Sequence, residues 1–180
     1  MALVDSFGRT IRYLRVSITD RCNLNCDYCR LPEQKLLPNN RQLLSLEEIG
    51  RLVRLFTELG VEHIRLTGGE PLLRKNIISL IKELGALPHL KELSLSTNAL
   101  LLARYAQEIA AAGVGRVNIS LDTLNPVTFA TLTRGGKLAG VLAGIYAAVS
   151  AGLHPVKINM VVMKGINDQE VPAMVEYARQ

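Results

Sequence analysis

Arg12-Tyr-Leu-Arg-Val-Ser-Ile-Thr-Asp-Arg-Cys-Asn-Leu-Asn-Cys-Asp-Tyr-Cys29 begins as a β-rich run, Arg12 to Thr19, and passes directly into cysteines spaced Cys22-x-x-x-Cys26-x-x-Cys29. No other cysteine occurs in the 180 residues. A strand that delivers every thiol of the chain to one loop reads as a metal site. Thiolates suit soft metals and iron–sulfur clusters, and a cubane normally held by four cysteines would here keep one iron open to a ligand. Two other readings stand beside it. A zinc site needs a fourth ligand, and the nearest histidine is the distant His63. A disulfide would leave one thiol over, and reducing compartments disfavour it.

Working outward, the strand is the first of a repeating series. Ser45-Leu-Glu-Glu48 caps an amphipathic helix that runs to Leu59 and stops at Gly60. Strand Glu62–Leu66 then precedes helix Arg74–Leu84, strand Lys91–Ser96 precedes helix Leu100–Ala112, and strand Arg116–Leu121 precedes a short helix near Thr128 and a longer one over Leu138–Ala151. Strand Val156–Met163 and a helix from Asp168 complete five βα units. Such alternation predicts an α/β fold with a parallel sheet, either doubly wound or a closed or partial barrel. The residues at the strand ends favour a barrel-type site, since the cysteine loop, Thr67-Gly-Gly-Glu-Pro71, Ser96-Thr-Asn98 and Ser120-Leu-Asp122 all fall at C-terminal ends.

Composition narrows the class. With 48% apolar residues the chain can bury a sizeable core. Met1 to Arg9 lacks the basic-then-apolar pattern of a signal peptide, which predicts a cytoplasmic protein with reduced thiols. Leu138–Leu153 is apolar but too short to span a bilayer, so no membrane role is expected. A scattered net charge of +5 argues against a nucleic-acid groove and suits a small phosphorylated substrate. Five Tyr, three Phe and no Trp offer no base-stacking platform.

Gly68-Gly69-Glu70-Pro71 by itself reads as a βα turn, with glycine for positive φ and proline at a helix start. Beside the cysteines it also reads as a ligand cradle, with exposed backbone groups and Glu70 placed to pair with an ammonium.

Taken together, the cysteine spacing, the aromatic Tyr28 before Cys29 and the GGEP turn resemble the radical S-adenosylmethionine superfamily. Leu14–Asn23, Cys26-Asp-Tyr-Cys29, Ile64–Leu72, Val117-Asn-Ile-Ser-Leu-Asp122, Lys157-Ile-Asn159 and Lys164–Asp168 are similar, within it, to the GTP 3′,8-cyclase family of molybdenum-cofactor biosynthesis. The resemblance implies a partial (β/α) barrel of about five units. Cys22, Cys26 and Cys29 would hold a 4Fe-4S cluster whose open iron chelates S-adenosylmethionine. Tyr28, Gly69 and Ser120 match positions that contact S-adenosylmethionine; Arg15, Arg65, Ser96 and Lys157 match positions that contact GTP. It further implies an external electron donor, a downstream enzyme that forms cyclic pyranopterin, and an allowance for a homodimer.

The sequence departs from that family in places. A second cluster near the family's C-terminus needs further cysteines, and none follows Cys29 here. The chain stops at Tyr177-Ala-Arg-Gln180 inside an apolar-periodic helix, which predicts an incomplete core domain over residues 1–180. Ala99 stands where the family usually has Gly, and Leu31 where it often has Met.

Overall fold

Alternation of apolar and polar residues, interrupted by a register shift between the third and fourth strands at Leu93–Ser94, decides which face each strand buries. The computed structural model describes residues 3–29 and 43–179, so Leu31 falls outside the described residues. Strands β1 (Tyr13–Ser17), β2 (His63–Thr67), β3 (Glu92–Thr97), β4 (Val114–Ser120) and β5 (Val156–Asn159) form one parallel sheet. They pair in chain order, β1-β2-β3-β4-β5. Helices α1 (Leu46–Glu58), α2 (Ile77–Gly85), α3 (Leu102–Ala111), α4 (Pro126–Leu132), α5 (Leu138–Ser150) and α6 (Val171–Arg179) alternate with the strands.

Order and layering choose between the architectures left open by the sequence. A doubly wound sheet reverses strand order at a switch point; this one never reverses. α1 packs on α2, α2 on α3 and α3 on α5, a single helical layer. The sheet face beneath it carries Ile64, Leu66, Leu93, Leu95, Val117 and Ile119, each at most 2% exposed. The opposite face carries Arg15, Arg65, Ser96, Asn118, Ser120 and Lys157. An ordered parallel sheet with helices on one face, and β1 and β5 as edges among the described residues, is an open partial barrel.

The helix signals in the sequence work as expected. Ser45 accepts from the Glu48 amide while the Glu48 side chain returns to the Ser45 amide, a complete capping box. Asn125 caps α4, with Pro126 at its first position. α5 can approach the β3–α3 turn because a Cβ on Gly144 would stand 2.2 Å from the Ala99 carbonyl oxygen.

Boundaries shift where side chains compete with the backbone pattern. α2 begins at Ile77 rather than Arg74, after a 3₁₀ turn at Pro71–Leu73. Arg74 is instead extended, its guanidinium donating to the carbonyls of Ile18 and Leu44 at 2.9 and 2.6 Å. β5 ends at Asn159 rather than Met163. Beyond it the Val161 amide donates to Asp122, and Asn167 takes the Val161 carbonyl and the Met163 amide, so the ladder's groups are already used. α6 starts at Val171, after a 3₁₀ turn over Asp168–Glu170 whose Glu170 carboxylate accepts from the Thr123 hydroxyl and the Leu124 amide. Among the described residues, no helix is long and apolar enough to cross a membrane.

Candidate active site

The cysteine loop continues from the end of β1 across the C-terminal ends of β2, β3 and β4, and a hydrogen bond marks each of these three crossings. At β2 the amides of Gly69 and Glu70 donate to the carbonyls of Thr19 and Arg21, both at 2.7 Å. A Cβ at Gly69 would come within 2.1 Å of the Arg21 oxygen, and one at Gly68, with φ +151°, within 2.5 Å of the Thr19 oxygen. The glycine pair is thus needed for close approach of the chain to itself. At β3 the Asn98 side-chain amide donates to Asn23 Oδ1 at 2.7 Å and to Cys22 Sγ at 3.6 Å. At β4 the Tyr28 hydroxyl donates to Asp122. The amides of Asn25 and Asp27 donate to the carbonyls of Thr133 and Leu132 at the end of α4, and Arg134 pairs with Asp27.

Glu70 corrects one expectation. It is completely buried, and its carboxylate accepts from the Leu72 amide, the Thr97 hydroxyl and the Asn98 amide at 3.1, 2.8 and 2.8 Å. Burial raises its pKa, and these hydrogen bonds work against that rise. No ammonium can reach it. Glu70 holds the end of β2 to the end of β3.

The thiols are free; Cys22 and Cys26 are partly buried and Cys29 is exposed. They share a cavity of about 300 Å³ with Ser17, Thr19, Asp20, Leu24, Gly68 and Gly69. Burial above all, then Asp122 and the neighbouring thiols, pushes the Cys26 thiol up to about 11. Burial and the hydrogen bond to Asp122 likewise raise the Tyr28 phenol far above its ordinary range. Among the described residues, no three His, Cys, Asp or Glu side chains stand close enough to hold a single metal ion. A single zinc needs its ligands gathered around one point, whereas a cubane takes each thiolate on a separate iron. Three thiols on one loop, two sulfur-directed donors on Cys22 (Asn98 and the Leu24 amide at 3.4 Å) and a glycine-walled cavity fit the larger group.

Below the loop, the concave face is arranged in register. Arg15 is beside Arg65, Arg65 beside Ser94, and Ser94 beside Arg116. Closer to the loop, Ser96, Asn118 and Lys157 form the next row, and Ser120 pairs with Asn159 above that. Arg116 is tied to Glu92. Arg15, Arg65 and Lys157 form no ion pair among the described residues, and the Arg65 guanidinium lies 5.3 Å from the centre of the Tyr13 ring. Arg65 Nε, Arg116 Nε and Asn118 Nδ2 are buried donors without a hydrogen-bond partner among the described residues. All belong to this face.

The profile of the Radical SAM superfamily matches residues 16–178. The chain belongs to the radical SAM superfamily. Membership brings a 4Fe-4S cluster and S-adenosylmethionine as its cofactors. The chain is 51% identical over 173 residues to a GTP 3′,8-cyclase of Petrotoga mobilis, covering 96% of this chain and 54% of that protein. It is 52% identical over 175 residues to GTP 3′,8-cyclase 1 of Pseudomonas aeruginosa, covering 97% and 53%. The chain therefore spans about half the length of the curated relatives it matches. Among solved structures, Streptococcus suis SuiB bound to precursor peptide SuiA superposes with a TM-score of 0.75 at 19% identity, over 93% of this chain and 36% of that one. The anSMEcpe structure with bound AdoMet superposes at 0.70 and 19%, over 94% and 48%. At such identity these likenesses speak for the fold.

Asn98 and Asp122 were not singled out as site residues from the sequence, although the strand ends that carry them were. The available signal was a polar side chain within two residues of the end of a strand whose apolar residues face the core.

Proposed function

We propose that the chain is the radical-generating and nucleotide-binding part of a GTP 3′,8-cyclase, which converts GTP to a 3′,8-cyclised dihydro nucleotide for molybdenum-cofactor biosynthesis. The observation that carries the nucleotide half of this reading is the concave face, where unpaired cations and unpartnered N–H donors share one side of the sheet under the cysteine loop. A buried donor without a partner costs about 1–3 kcal/mol, and an acceptor-rich triphosphate and purine would relieve it.

Cys22, Cys26 and Cys29 would hold the cluster, with Tyr28, Gly69 and Ser120 bordering S-adenosylmethionine. When bound, these cofactors supply a one-electron cleavage and a hydrogen-abstracting radical. The chain's own residues do the rest. Arg15 and Arg65 offer forked donors to phosphate oxygens, Lys157 adds a point charge, and Ser96 a hydroxyl. Asn98 and Glu70 fix the loop over the strand ends, so a nucleotide on the sheet is held at a set distance from the cofactor. The reading places the protein in the cytoplasm, where thiols stay reduced. It also calls for an external one-electron donor, a following enzyme that forms cyclic pyranopterin, and allows a homodimer.

Two measurements test it. Serine at Cys22, Cys26 or Cys29 should abolish iron incorporation on anaerobic reconstitution; a triple serine variant that still bound iron stoichiometrically would end the ligand assignment. Arg65→Ala and Lys157→Ala should each weaken GTP binding by roughly 1.5–3 kcal/mol while S-adenosylmethionine binding holds. Equal loss of both ligands would point to misfolding instead.

A further inference from the structure

Asp122 follows the strand that carries Ser120 and is only 6% exposed. One carboxylate oxygen accepts from the Val161 amide at 2.8 Å and the other from the Tyr28 hydroxyl. It forms no ion pair among the described residues. Its surroundings hold it in place: the Leu121 amide donates to the Asn159 carbonyl, and Asn167 Nδ2 donates to the Asp122 carbonyl at 2.7 Å. Swinging the side chain into solvent would give up its hydrogen bonds to the Val161 amide and the Tyr28 hydroxyl. Tyr28 lies between Cys26 and Cys29 in sequence, so this anchored charge stands beside the thiols.

We propose that Asp122 positions the cysteine loop through Tyr28 and, as a fixed buried charge, sets the reduction potential of the cluster. The inference rests on the superfamily's cluster being held by Cys22, Cys26 and Cys29, and it is independent of the nucleotide substrate. Reduction adds one electron to the cluster and removes one from an external donor. A nearby negative charge disfavours the more negative reduced state and so lowers the potential. The Tyr28 hydroxyl turns the positive end of its dipole toward the carboxylate and offsets part of that field. The two side chains therefore act with opposite sign. Without the carboxylate charge the cluster becomes easier to reduce; without the hydroxyl it becomes harder.

The test uses the 180-residue chain, Asp122→Asn and Tyr28→Phe, each reconstituted anaerobically with iron and sulfide and counted for both. Midpoint potentials are then measured by potentiometric titration, following visible absorbance, with neither S-adenosylmethionine nor nucleotide present. The expected result at full iron content is a raised midpoint for Asp122→Asn and a lowered one for Tyr28→Phe. An unchanged or lowered midpoint in an iron-replete Asp122→Asn variant overturns the proposal. If that variant does not assemble a cluster, the decision passes to Tyr28→Phe, whose midpoint must fall; no change or a rise overturns it. Iron content in the cysteine variants tests the ligand assignment separately, so failure of one idea is distinguishable from failure of the other.

Discussion

Ala99 is a buried alanine held at φ +64°, a left-handed backbone that costs a residue with a Cβ roughly 1–2 kcal/mol. Glycine relieves that strain but adds unfolded-state entropy, so Ala99→Gly should gain at most about 1 kcal/mol. Chemical denaturation decides, and a loss of stability would show that the Ala99 methyl, packed under Gly144, matters more than the strain. Cys26 gives a pH signature. Its thiol is pushed from an ordinary 9.0 up to about 11, so between those values the folded chain keeps a proton that the unfolded chain releases. The unfolded state then binds fewer protons, and stability falls as pH rises. The metal-free protein, kept reduced, should lose melting temperature from about pH 9 to 11, and Cys26→Ser should flatten that decline. An equal slope in the variant would locate the effect in other groups.

At the level of elements, the cysteine loop has little regular structure and is shaped by what it touches. The β2 glycine turn supports it through backbone contact, so Gly69→Ala must displace either the turn or Arg21. We expect a loss of about 1–3 kcal/mol, the usual penalty for overpacking, together with poorer iron incorporation. Wild-type cluster assembly in a folded Gly69→Ala variant would show that the loop does not depend on this contact. Glu70→Gln makes a different break. The carboxamide directs N–H groups toward a site already filled with donors, which should cost about 1–3 kcal/mol and loosen β3 from β2. Thermal denaturation measures the first effect, and hydrogen exchange at the Leu72 and Asn98 amides the second.

For the whole molecule, helices on one face and cations on the other leave an open sheet with β1 and β5 as unpaired edges among the described residues. Such edges template pairing with other chains. The 180-residue chain should therefore associate as concentration rises, and sedimentation showing monomer throughout a dilution series would count against this. On the proposed reading, open edges would also leave a bound nucleotide gripped from one side. The chain alone should cleave S-adenosylmethionine without forming cyclised nucleotide, because the positioning that can remove about 7–11 kcal/mol of a barrier is incomplete. Assaying 5′-deoxyadenosine and nucleotide product separately checks it; sustained cyclisation would refute it. The sequence by itself determined the parallel α/β alternation, since periodicity and caps are local and repeat along the chain. It also marked the thiol loop, through spacing no ordinary core requires. The partial barrel was implied by the family resemblance, but periodicity left it open, because pairing order is a long-range property that only the tertiary structure displays. The same holds for Glu70, read from its turn as a ligand group and found fully enclosed between β2 and β3. Asp122 became legible only when β4, the segment after β5 and the cysteine loop met around it. Its partners Tyr28 and Val161 lie far away in the chain, and a hydrogen bond across that separation exists only once the sheet has brought them together.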